Sequence, residues 1–83
     1  MNYANAIVNT NEILAPQGWQ LFNYNTDSIY FHRPYCELDE IRIIFNSPKS
    51  INLTIPIENS RFSYTCKFHS FRDVITYLSS YTF

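Results

Sequence analysis

Gly18 is the only glycine in these 83 residues. The loops that cradle phosphate groups need several glycines within a few positions, so neither a P-loop nor a dinucleotide fingerprint fits this chain. Cysteine is nearly as scarce, with two, and residues Met1 to Thr10 lack the basic segment and apolar segment of a secretory leader. Reduced thiols in a soluble intracellular protein are therefore expected. Apolar runs are short, far below the roughly 20 residues that span a bilayer. No block of one charge sign occurs either: six basic and seven acidic residues give a formal net charge of −1. A polyanion would have to be met by a local patch, for which Arg61, Lys67 and Arg72 are the candidates.

What the chain has instead is aromatic rings and isoleucine. Seven Phe, seven Tyr and one Trp must supply the volume of a single small core, because a chain of this length buries only roughly 60–65% of its unfolded surface. Nine Asn and ten Ile beside three Ala also match a bias toward A- and T-rich codons, as in the genomes of some viruses and bacteria.

Periodicity predicts a helix first. Tyr3, Ala6, Ile7, Thr10, Ile13 and Leu14 recur at three- and four-residue spacing, and Pro16 with Gly18 predicts a stop near Leu14 or Ala15. From Trp19 the period becomes two, which predicts a strand with Trp19, Leu21 and Asn23 on one side and Gln20, Phe22 and Tyr24 on the other. Residues 25–28 form a turn, Ile29 to His32 a return strand, Glu37 to Glu40 an acidic loop, and Ile41 to Phe45 a central strand. Ile51, Leu53, Ile55 and Ile57 mark a fourth strand, in which Pro56 requires an unpaired side near the end or a bulge. After a turn at Glu58-Asn59-Ser60, Phe62, Tyr64, Cys66 and Phe68 mark a fifth. Ser70 and Asp73 stand at capping-box spacing before the stripe Phe71, Val74, Ile75 and Leu78 of a last helix.

The expectation is thus a single α+β domain, residues 1–83, in two layers: an antiparallel meander of about five strands with an N-terminal and a C-terminal helix packed on one face. Trp19, Leu21, Ile43, Leu53, Ile55 and Phe62 are expected under the helices. Phe22, Tyr24, Tyr30 and Ile44 then point to the other face, rimmed by Gln20, His32 and Arg42. Such a cluster resembles an interaction surface, with a homodimer as the simplest way of covering it; the first helix or the tail Tyr81-Thr82-Phe83 folding over it is the alternative.

His32 with Cys36 and Cys66 with His69 are four ligands of types that zinc accepts, in two spaced pairs. A small zinc-stabilised domain is the alternative they raise, against Cys66 as a small core hydrophobe and the histidines as solvated residues. Catalysis by a cysteine–histidine pair has little behind it, since Cys36 sits among Glu37 and Asp39 rather than cations. A sheet bearing aromatics also suits stacking of single-stranded nucleic acid, but neither an RNP-like motif nor a basic stripe accompanies Tyr24 and Tyr30. The expected activity is non-catalytic protein contact, without a cofactor or a membrane partner, and single-stranded nucleic-acid binding through the sheet aromatics is a further alternative.

Overall fold

The computed structural model describes residues 3–34, 36–57 and 61–80, with residues 3 and 36–38 described by their backbone alone. Helix α1 (Tyr3–Leu14) is followed by a short 3-10 turn at Ala15–Gln17. Five strands then run β1 (Gln20–Tyr24), β2 (Ser28–Arg33), β3 (Cys36–Ser47), β4 (Ser50–Pro56) and β5 (Ser63–Phe68), and helix α2 (Phe71–Ser80) follows. The sheet order is the chain order, and every neighbouring pair is antiparallel. The α-β5-α meander expected from the periodicities is the fold.

Each helix end has a local cause. Pro16 forbids a further regular turn, and Gly18 takes the left-handed conformation at φ 91°. Its N–H then reaches Ala15 O at 3.0 Å while the Trp19 N–H reaches Leu14 O at 3.1 Å, the paired bonds of a Schellman ending. Leu14 and Trp19, which flank that turn, are both buried. At the other helix the Asp73 N–H donates to Ser70 Oγ at 3.2 Å, so the predicted N-cap is formed.

Cross-strand partners share a face, so the register assigns every strand residue to one side. Leu21, Phe31 and Ile41 lie in one row of the inner face. Ile29, Ile43, Leu53 and Cys66 lie in the next, and Phe45, Ile51 and Phe68 in a third. Both helices cover these rows. Ala6, Leu14, Val74 and Leu78 join the strand residues in one buried cluster. Thr10 is also buried, its hydroxyl donating to Ala6 O at 2.8 Å. The α2 side is held by aromatic contacts: Phe45 with Phe71 at 5.8 Å, Phe68 with Tyr77 at 5.4 Å, and the Tyr64 and Tyr77 hydroxyls 2.7 Å apart.

Three expectations require correction. The acidic segment Glu37 to Glu40 is not a loop, because β3 already begins at Cys36. Between the pairs His32↔Glu40 and Arg33↔Cys36 it carries three residues that β2 does not match. Phe62 is not core. It continues the β4–β5 ladder, with the Ile57 N–H donating to its carbonyl at 2.9 Å, yet it is 70% exposed. The third correction concerns β1. Leu21 pairs with Phe31 but Asn23 pairs with Tyr30, so Phe22 is an extra residue without a partner, a β-bulge. Alternation is reset there, which places Asn23 on the outer face and Tyr24, opposite the buried Ile29, on the helix face. Pro56 behaves as expected. It ends β4, beyond the last register pair with β3.

Candidate functional site

The outer face of β1 to β3 is the candidate site. Phe22 projects there from the bulge, 4.7 Å from the His32 ring and 6.0 Å from Tyr30. Tyr30 stands between Asn23 and Arg42 in one cross-strand row, and Ile44 stands between Ser28 and Asn52 in the adjacent row. Phe22 is 47% exposed, while Tyr30, His32 and Ile44 are half-buried. Arg42 Nε lies 3.3 Å from Glu40 Oε1, with both side chains partly exposed, so this pair is worth little stability. Toward β5 the face turns polar, with Asn52, Thr54, Thr65 and Lys67. There the Thr54 and Thr65 hydroxyls bond at 2.9 Å. Four of the five predicted patch residues, Phe22, Tyr30, Ile44 and Arg42, are therefore brought together.

Tyr24 is the one that leaves. Its ring borders an open groove of about 430 Å³ on the helix side, together with Ala4, Ile7, Asn25 and Thr26. Periodicity alone could not find this groove, because the phase reset at Phe22 leaves no signature in composition. Neither helix lies on the outer face, so α1 does not cover the patch. The tail Tyr81-Thr82-Phe83 lies outside the described residues.

The zinc-ligand types do not converge. His32 is on the outer face of β2 and Cys66 on the inner face of β5, with β3 and β4 between them. Three strand spacings put them roughly 14 Å apart even before the sheet's thickness is added. His69 is exposed in the bend after β5, and the side chain of Cys36 lies outside the described residues. Among the described residues no group of three or more His, Cys, Asp and Glu side chains is placed to hold a metal ion.

Arg33 was not singled out by the sequence, and the structure gives it a defined place. Its guanidinium lies 4.6 Å over the ring of buried Trp19 and reaches Asp39 Oδ2 at 3.4 Å. A cation stacked on indole and paired with a carboxylate covers the buried Trp19. This is a structural assembly on the inner face, away from the patch.

No protein-family model, curated protein or solved structure matches the chain. Among the described residues no helix is long and apolar enough to cross a membrane.

Proposed function

We propose that this chain is a non-catalytic protein-interaction module that self-associates through the outer face of β1 to β3, centred on Phe22, Tyr30 and Ile44. The observation that carries the reading is the bulge. A strand that kept its alternation would pair the outer position with a single residue, whereas here an inserted phenylalanine is held half-exposed against Tyr30 and His32. Bulges commonly re-aim a side chain at a functional surface. The charges nearby are of mixed sign, with Glu40 paired to Arg42 and Lys67 at the far side, which supports a protein partner over a polyanion.

The size of the patch sets the strength. About half of Phe22 and less of Tyr30 and Ile44 amount to roughly 200 Å² of apolar surface per copy, taking about 200 Å² for an aromatic side chain. Two copies then gain about 10 kcal/mol at roughly 25 cal/mol per Å². That gain is offset by a cost of association of about 4–15 kcal/mol. Binding is accordingly micromolar or weaker, and in an intracellular setting Cys66 remains a thiol. Sedimentation equilibrium over about 10 µM to 1 mM, a range chosen to bracket that affinity, tests the reading. Wild type is expected to gain mass with concentration and Phe22→Ser/Tyr30→Ser to gain less. Equal mass for the two proteins across the range removes the proposal.

A further inference from the structure

Among the described residues the two edge strands of the sheet, β1 and β5, differ. β1 is short and broken by the Phe22 bulge, and Asn23 Oδ1 accepts the Tyr24 N–H at 2.9 Å. β5 pairs with β4 from Ile51↔Phe68 to Pro56↔Ser63 without a register shift, and Ser63–Phe68 contains no proline and one charge, Lys67. An unbroken edge of this kind presents a row of backbone N–H and C=O groups that another strand can pair with, and bulges, prolines and charges are what normally prevent it. At the corner where β5 begins, Phe62 is 70% and Ile57 42% exposed, both on the helix face.

We propose that β5 pairs antiparallel with β5 of a second copy about a twofold axis at Thr65, joining two five-stranded sheets into one. Antiparallel partners share a face. With the axis at Thr65, that residue meets its own mate, Ser63 meets the second copy's Lys67, and Tyr64 meets its Cys66. Phe62 then meets the second copy's Phe68, which is half-buried against Tyr77. An axis one residue later, at Cys66, would set Phe62 against Ser70 and leave its ring uncovered. Parallel in-register pairing would stack lysine on lysine. The axis at Thr65 thus covers the most exposed large apolar residue described and separates the like charges.

The area fits a weak contact. Seven paired residues, 62–68, span about 24 Å, and a sheet layer plus a helix layer is roughly 20 Å deep. Each copy contributes at most about 500 Å², so the pair buries up to about 1,000 Å², the range of weak, transient interfaces. This contact is separate from the outer face and does not rest on it.

Disulfide trapping tests the pairing. Thr65→Cys in a Cys36→Ser/Cys66→Ser background is oxidised mildly beside Lys49→Cys, which is exposed in the β3–β4 turn, and both are repeated with Phe22→Ser/Tyr30→Ser added. Residue 65 is expected to cross-link at least about tenfold faster than residue 49, because pairing raises the local thiol concentration toward millimolar, and to do so with or without the outer-face substitutions. Equal rates overturn the proposal, as does cross-linking that vanishes with the outer-face substitutions. Wild-type amide exchange provides a second reading free of any substitution: residues 63–68 are expected to exchange more slowly as concentration rises, and concentration-independent exchange there also overturns it.

Discussion

Deleting one residue from a β-strand usually destroys the register, so deletion of Phe22 is the severest perturbation the bulge can be given. With Phe22 removed, Leu21 still faces Phe31, Asn23 still faces Tyr30 and Tyr24 still faces Ile29, because the deleted residue has no cross-strand partner. The losses are the ring contacts with Tyr30 and His32 and the buried half of one phenylalanine, together about 1–3 kcal/mol. Restored regular pairing offsets part of that. At roughly 4–8 °C per kcal/mol for a domain of this size, the melting temperature falls by about 5–15 °C and the protein stays folded. Deletion of Tyr30 is the contrast. Ile29 and Phe31, both fully buried, cannot then both face the helices, and pairing with β1 and β3 is lost together. The cost exceeds the total stability of about 4–12 kcal/mol expected for 83 residues. Thermal melting by circular dichroism distinguishes the two deletions, and nuclear Overhauser contacts from the Tyr24 ring to Ala4 and Ile7 report its facing. Unfolding of the Phe22 deletion, or loss of the Tyr24 contacts to α1, refutes the reasoning.

Two further substitutions test the frame that holds the site. Gly18→Ala places a Cβ where nothing lies within 4 Å, so its effect is the backbone cost of a left-handed alanine alone, about 1–2 kcal/mol; an unchanged melting temperature contradicts the Schellman ending. A double-mutant cycle of Tyr64→Phe and Tyr77→Phe, whose hydroxyls stand 2.7 Å apart, is expected to give a coupling of about 0.5–1.5 kcal/mol in denaturant unfolding; additive effects contradict that bond.

Much of the fold was legible because hydrophobic period and turn chemistry agree along most of the chain. Ile51, Leu53 and Ile55 alternate into the core, Ala6, Thr10 and Leu14 line one helical face, and Pro16, Gly18 and Ser70 mark the helix boundaries they form. Two of the failures share a physical cause: each lies where the register departs from simple alternation. An inserted residue at Phe22 turns Tyr24 to the helix side, where it is still 60% exposed, and three unmatched residues extend β3 through a stretch whose acidic side chains read as a loop. Phe62 keeps the correct phase and is still 70% exposed, because strand period says which face a residue takes and not how deeply it is buried. For the same reason the spacing of His32, Cys36, Cys66 and His69 carried no information on convergence, since His32 and Cys66 stand on opposite faces of the sheet.

The most direct test follows individual residues of the outer face in solution. In nuclear magnetic resonance spectra of protein labelled at Phe, Tyr and Ile and diluted from about 1 mM to 10 µM, a range set by the expected weak affinity, the resonances of Phe22, Tyr30 and Ile44 are expected to shift together while those of Tyr24 stay fixed. Outer-face resonances that ignore concentration, or Tyr24 moving in step with Phe22, would contradict the account.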